Sequence, residues 1–149
     1  MSLKDKINAD LKEAMKSKDK VKLNTIRSIR ALILDFEKSG AARDLTADDE
    51  IKMLSSAAKK RREAIEQYEK AGRLELAENE KAELNVIENY LPKQLSEVEI
   101  FEYVKKIASE FGASSKADFS KIMPVVMKDL KGKADGNVIR RIVENLLGD

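Results

Sequence analysis

The chain has 149 residues, of which 29 are Lys or Arg and 27 are Asp or Glu, so the formal net charge is +2; it contains no Cys and no His. The missing Cys excludes disulfide frameworks and thiolate chemistry, and the missing His excludes Ser–His triads, Cys–His pairs and ordinary zinc sites. Because the charge is nearly balanced, any nucleic-acid binding depends on where cations cluster and not on their sum.

The chain begins with two predicted amphipathic helices. The first runs from about Ser2 to Lys16, where apolar residues recur at helical spacing. The second carries an apolar face from Leu23 to Phe36 and ends at Ser39-Gly40, since Gly can adopt the left-handed conformation that closes a helix. Residues 41–45 are predicted to be a connector.

A pair of longer helices follows. Thr46 is the predicted N-cap of the third helix, and Gly72 is predicted to end it. The fourth helix, about Arg73 to Tyr90, is polar in its first half. This polarity indicates that the third and fourth helices project as a hairpin.

The stretch Leu91 to Glu99, L-P-K-Q-L-S-E-V-E, marks a joint between two halves of the chain. Pro92 disfavours helical backbone at the preceding residue and cannot continue the helix. Ser96 and Glu99 have the capping-box spacing of a new helix. We therefore expect an all-α fold of about seven helices, with an N-terminal helical domain over 1–91 that includes the long hairpin and a compact three-helix bundle over 92–149.

Beyond the joint the predicted helices are shorter and more apolar. The fifth closes near Phe111-Gly112, and the sixth opens at Ser115 with Asp118. Pro124 should kink the sixth helix or force a restart near Met123. A tight turn then leads to Asp135, the predicted N-cap of the last helix. The apolar face of the fifth helix is formed by Ile100, Phe101, Val104, Ile107 and Ala108.

Consecutive cations on the third helix are one candidate binding site. They can contact phosphates, or they can pair with the dense acidic residues nearby, and the acidic density favours pairing. The cations are Lys59, Lys60, Arg61 and Arg62, and the acidic partners expected are Glu63, Glu66 and Glu69.

The turn from Lys131 to Gly136 is a second candidate. Its two Gly residues and a helix start offer backbone N–H groups for a phosphate, although the spacing is not that of a Walker A loop. Gly and Asp also suit an ordinary helix–helix turn, and that interpretation is slightly favoured. Cations around the turn could form one basic surface, which Asp129, Asp135 and Glu144 dilute. A binding face and a solubilising face are equally favoured for this surface, whose cations are Lys121, Lys128, Lys131, Lys133, Arg140 and Arg141.

Catalysis is not supported by the sequence. General acid–base chemistry needs two carboxylates in different environments, and no pattern buries one. We predict no catalytic residue, no metal site and no cofactor.

The motifs P-K-Q-L-S-E-V-E and K-D-L-K-G-K-A-D-G-N-V, with T-I-R-S-I-R at Thr25 to Arg30 and A-x-K-x-R around Lys59 and Arg61, resemble those of the YqeY family of small bacterial cytosolic proteins. The likeness covers essentially the whole chain. The C-terminal half is similar to the tail domain of the B subunit of tRNA-dependent amidotransferase.

This resemblance implies that the C-terminal half recognises tRNA. In the amidotransferase the tail contacts the tRNA body, while amidation and its metal site lie in other domains that have no counterpart here. The resemblance carries over to Lys131, Gly132, Lys133, Asp135 and Gly136 as RNA-facing residues. Pro124 departs from the family pattern.

Three functions follow as alternatives. The first is an accessory or adaptor module, related to the amidotransferase, that binds tRNA or a tRNA–enzyme complex. The second is a protein-interaction module that docks through the hairpin near Leu74 and Leu76. The third and weakest is a carbon–nitrogen ligase with glutamine as amido donor. No signal peptide or membrane span is apparent, so a cytoplasmic protein is expected, and no oligomeric state is indicated.

Overall fold

The structure is a computed structural model that describes residues 2–40 and 43–148. Within these ranges it contains α-helices, one 3-10 turn and no strand, so the all-α prediction is confirmed. The chain divides into two compact units, Met1–Leu91 and Pro92–Asp149. The helices are α1 (Leu3–Ser17), α2 (Lys20–Lys38), α3 (Ala47–Lys70), α4 (Leu74–Glu88), α5 (Glu97–Glu110), α6 (Phe119–Asp129) and α7 (Gly136–Leu147), and the 3-10 turn is Lys116–Asp118.

Capping residues start the helices where the sequence predicts. The Asp49 N–H donates to Thr46 Oγ1 at 3.1 Å, and the Thr46 N–H donates to the Asp49 carboxylate at 3.0 Å. The same reciprocal pair joins Ser96 and Glu99, at 3.2 and 3.0 Å. Both capping boxes satisfy N–H groups that have no partner inside the helix, which fixes the starts of α3 and α5.

In the first unit α3 and α4 form the hairpin, α2 packs against α4, and α1 packs against α2. Gly72 has φ +71° and the Arg73 N–H donates to the Tyr68 carbonyl at 2.8 Å, so the hairpin turns where predicted. At its tip Leu74 and Leu76 are 64% and 42% exposed. The core of this unit is Leu3, Ile7, Ala14, Ile26, Ile29, Ile33, Leu54, Ala57, Ala58, Ile87 and Leu91.

The second unit is a bundle of α5, α6 and α7. Its first helix starts at the Ser96 cap, and its second is preceded by a 3-10 turn in which the Asp118 carboxylate accepts from the Ser114 N–H at 3.0 Å. The core of this unit is Ile100, Val104, Ile107, Ala108, Ile122, Val126, Leu130, Ile139, Ile142, Val143 and Leu147.

Two details of the second unit correct the sequence analysis. The restart expected near Met123 does not occur, because α6 continues through Pro124. Pro124 lies on the exposed side of α6 together with Ser120, whose carbonyl loses its helical donor. Phe101 was expected in the apolar face of α5 but is 39% exposed.

The connector before α3 is described only in part. Ala41 and Ala42 lie outside the described residues. Arg43, which precedes α3, donates from Nη1 to Asp49 Oδ2 in the first turn of that helix at 2.5 Å. In the described ranges no helix combines the length and the apolar character that crossing a membrane requires.

Candidate nucleic-acid interface

The joint and the turn between α6 and α7 are in direct contact. The Gln94 side chain donates through Nε2 to the Gly132 carbonyl at 2.7 Å and to the Pro92 carbonyl at 2.8 Å. The Leu95 N–H donates to the Lys133 carbonyl at 2.9 Å. Two motifs that lie about 40 residues apart in the sequence therefore form one structural feature.

Two glycines of this feature are in tight surroundings, one because of its backbone conformation and the other because of a close neighbour. Gly132 has φ +77°, which a residue with a Cβ adopts only with strain, and the Lys133 N–H closes the turn on the Leu130 carbonyl at 2.9 Å. A Cβ on Gly136 would lie 3.2 Å from Met127 Cε, so α6 and the start of α7 approach closely there. The two glycines thus have structural roles in this turn.

The start of α7 already carries a carboxylate. The Asn137 N–H donates to Asp135 Oδ1 at 3.2 Å, so Asp135 is the N-cap that the sequence predicts. Its negative charge lies where a phosphate would interact with the helix dipole. With the Gly132 and Lys133 carbonyls bonded to the joint, the turn is an ordered connector, and a polyanion would be bound by side chains around it.

The cations around the turn fall into two groups. Arg141 donates to the Glu97 carboxylate of α5, and Lys121 Nζ lies 3.5 Å from Asp118. By contrast Lys128, Lys133 and Arg140 are exposed and make no ion pair within residues 2–40 and 43–148. Lys131 is exposed between them. Lys128, Lys133 and Arg140 can therefore bind an anion without first losing an ion-pair partner among the described residues.

The cation cluster on α3 has a different character. Lys59 and Lys60 are exposed, whereas Arg61 and Arg62 are partly buried. Arg61 Nε lies 3.4 Å from a Glu83 carboxylate oxygen of α4, and its Nη2 donates to Ser28 Oγ of α2 at 3.5 Å. Arg61 therefore connects three helices and has little freedom to contact a phosphate.

The pairing expected within α3 is wrong. Glu66 pairs with Lys70 at 3.0 Å and Glu69 lies 3.8 Å from Lys81, so neither neutralises the cluster. The physical reason is that Arg61 points toward α4, where Glu83 is available. Sequence spacing alone cannot predict a partner on another helix.

A perturbed carboxyl lies beside Arg61. Burial raises the pKa of Glu80, and the neighbouring Glu83 raises it further, while Arg61 acts in the opposite direction. This polar cluster lies between helices of the first unit and contributes to their packing. No group of three or more acidic residues in the described ranges is placed to hold a metal ion.

Sequence reasoning missed Gln94, Glu83 and Glu97 as partners of the candidate residues. Gln94 lies within the motif at the joint, but its partner is 38 residues away. Glu97 is 44 residues from Arg141. It also lies in the first turn of α5, where a negative charge is already explained by its favourable interaction with the helix dipole. No local signal identifies these long-range contacts.

Comparison with known proteins gives one family across nearly the whole chain. The family model described as "Yqey-like protein" matches residues 4–147. The protein named altered inheritance of mitochondria protein 41, mitochondrial, of Pyrenophora tritici-repentis is 34% identical over 96% of this chain and 80% of its own length. Its namesake in Lachancea thermotolerans is 32% identical over 73% of this chain and 59% of its own length. An uncharacterized protein of Schizosaccharomyces pombe is 34% identical over 62% of this chain and 74% of its own length.

These relatives correct two expectations. They are fungal proteins, so they do not support the bacterial origin implied by the resemblance. The names of the Pyrenophora and Lachancea proteins point to mitochondria and contradict the cytoplasmic location expected from the sequence.

Proposed function

The chain belongs to the YqeY family, and from this premise we propose that it is a non-catalytic accessory module that binds tRNA or a tRNA–enzyme complex through residues 92–149. The observation that carries the proposal is the group of exposed, unpaired cations beside the ordered turn. We call Lys128, Lys133 and Arg140 the free-cation group, in the sense that they form no ion pair within the described residues.

The order of the turn contributes to this function. Since Gln94 and Leu95 hold the Gly132 and Lys133 carbonyls, the backbone between α6 and α7 is fixed before any ligand arrives. Side chains on a fixed backbone lose less conformational entropy on binding than those on a mobile loop. A phosphate backbone recognised by shape and charge suits such a surface.

The charge balance limits the strength of this binding. Residues 92–149 contain 10 basic and 9 acidic residues, so no strong field surrounds the unit. Affinity must come from local contacts between cations and phosphates, and it should be moderate at physiological salt.

The test is to remove the free-cation group and to measure tRNA affinity at one fixed low salt concentration. The variant Lys128→Gln/Lys133→Gln/Arg140→Gln should bind at least about ten-fold more weakly, because each lost phosphate contact also loses its counterion release. A matched control, Lys105→Gln/Lys106→Gln/Lys116→Gln, removes the same charge from exposed, unpaired positions of the same unit. Equal weakening in both variants would mean that only net charge matters, and would contradict this surface.

A second candidate function is protein docking through the hairpin tip. It is favoured by Leu74 and Leu76, which are 64% and 42% exposed at the start of α4. Two large apolar side chains exposed at one turn of a hairpin make that turn a candidate interaction site. Nothing supports an amide-transfer activity, and it is not proposed.

The docking function is tested by Leu74→Ser/Leu76→Ser in a pull-down that includes nuclease treatment. Loss of a nuclease-resistant partner in this variant, but not in the control Met15→Ser at another exposed apolar position, would favour docking through residues 46–90. A partner retained by both variants would exclude the tip.

A further inference from the structure

Phe101 is an aromatic side chain on the surface of the second unit. It is 39% exposed on α5, whose neighbouring residues Ile100 and Val104 fill the core. Val98, one turn earlier, is 71% exposed. Since α5 packs against α7, the outer edge between them combines apolar and charged side chains.

A cation is placed on the same edge. Phe101 follows Glu97 by four residues, so both lie on one face of α5 with their Cβ atoms about 6 Å apart. Glu97 accepts a hydrogen bond from Arg141 of α7. Phe101 and Arg141 therefore both border Glu97, one on the same face of α5 and the other on α7.

The ion pair is exchangeable. The Arg141 and Glu97 side chains are both more than half exposed. Exposed pairs of this kind contribute little to stability, since water screens the attraction. Arg141 can leave Glu97 for a phosphate at small cost.

This inference rests on the tRNA-binding function proposed above: we infer that the edge formed by Glu97, Phe101 and Arg141 takes an unpaired nucleotide of RNA. The base stacks on Phe101, and the phosphate replaces Glu97 as the partner of Arg141. Unpaired bases stack on aromatic rings, and a neighbouring Arg adds a cation–π interaction with the base. Paired bases inside a helix have no free face for stacking. The free-cation group binds the surrounding phosphate backbone independently of this edge.

Glu97 acts in this arrangement as an internal competitor. Its carboxylate occupies Arg141 when no nucleotide is bound and repels an incoming phosphate. Glu97→Gln should therefore tighten binding, an effect opposite to that expected if the ion pair ordered the site.

The experiment uses the full chain and two probes, a single-stranded oligouridylate of about 12 nucleotides, within the usual site sizes of ~4–16, and an RNA duplex of equal length. Phe101→Leu should weaken single-strand binding by roughly ten-fold and leave duplex binding unchanged. Phe101→Tyr keeps the ring and should bind like the wild type. The matched control is Phe111→Leu, at a 45% exposed aromatic that ends α5 and should have no effect.

A double-mutant cycle tests the exchange at Arg141. In the wild-type background Glu97→Gln should tighten single-strand binding several-fold more than Glu102→Gln, which removes an exposed, unpaired carboxylate of the same helix. In the Arg141→Gln background the two changes should have equal effects.

The outcomes separate this inference from the function on which it rests. Equal effects of Phe101→Leu and Phe111→Leu, or an equal loss of single-strand and duplex binding in Phe101→Leu, would overturn the nucleotide site while tRNA binding through the free-cation group stands. Absence of tRNA binding by the wild type would overturn both. Thermal melting of each variant identifies a loss of binding that comes from unfolding.

Discussion

At the scale of single residues, Gln94 has the clearest structural role in the second unit. Its side-chain amide donates to the Gly132 carbonyl at 2.7 Å and to the Pro92 carbonyl at 2.8 Å. Gly132 itself has φ +77°. A carbonyl left without its donor in a partly buried place costs free energy, because water does not fully replace the lost bond.

We predict that Gln94→Met lowers the free energy of unfolding by about 1–3 kcal/mol. Met has a similar volume and cannot donate a hydrogen bond. The measurement is urea denaturation, with Gln67→Met on the exposed surface of α3 as the control. A loss no greater than that of the control would show that these hydrogen bonds contribute nothing net.

Glu80 connects residue chemistry to the pH dependence of stability. Burial and the neighbouring Glu83 raise its pKa above the ordinary value of 4.5. Because the pKa of Glu80 is higher in the folded state than in the unfolded state, the folded state binds this proton more tightly. Protonation of Glu80 therefore contributes fully to stability below about pH 4.5, and that contribution is lost as pH rises through the folded-state pKa.

Glu80→Gln keeps the side chain neutral at every pH, so we expect the variant to exceed the wild type in stability at neutral pH by less than about 1 kcal/mol. The difference should shrink toward pH 4. Thermal melting across this range measures it, and Glu75→Gln at an exposed position should give no such trend. A difference that grows on acidification would contradict the raised pKa.

Local residue chemistry was predictable from the sequence, and long-range partners were not. Thr46, Ser96 and Asp135 were identified as caps because a cap and its N–H group lie within three residues of each other. The partners of Arg61 and Arg141 lie on other helices, at Glu83 and Glu97. Periodicity shows which face a residue occupies, and it contains no information on which helix packs there.

At the scale of elements, α6 continues through Pro124, which the sequence predicts to kink the helix or to force a restart near Met123. The helix runs from Phe119 to Asp129 with Pro124 inside, preceded by the 3-10 turn Lys116–Asp118. Burial of Ile122 and Val126 on the opposite face offsets the missing backbone hydrogen bond.

Replacing this proline should therefore stabilise the protein. We predict that Pro124→Ala increases the free energy of unfolding by about 1–3 kcal/mol, since the helix gains an N–H donor and loses the ring clash. Chemical denaturation measures the change, and Ser120→Ala, at an exposed position one turn away, serves as the control. A decrease on Pro124→Ala would mean that the pyrrolidine ring itself is required by the packing.

The hairpin is the element that sequence described most fully. Its start at Thr46, its turn at Gly72 and its exposed tip all follow from local signals. The contact of Arg61 with Ser28 connects the hairpin to α2, and only the three-dimensional structure identifies this contact.

At the scale of the whole molecule, the described residues form two compact units with separate cores. The first contains the hairpin with its exposed leucines, and the second contains residues 92–99 of the joint, the ordered turn and the free-cation group. Composition and caps were sufficient to predict an all-α chain. The pairing of Arg141 with Glu97 was not predictable, because it depends on how α5 and α7 pack, whereas the pair of Lys121 with Asp118 is local.

The most direct test of tRNA binding through the second unit is the salt dependence of that binding, measured on the full chain and on the free-cation variant. Each phosphate contact contributes about 0.7–0.9 to the slope of log affinity against log salt concentration. The account predicts saturable binding by the wild type with a steep slope, and a slope shallower by about 2–3 in Lys128→Gln/Lys133→Gln/Arg140→Gln. Identical slopes in the two proteins, or no binding at low salt, would contradict it and direct attention to the hairpin tip.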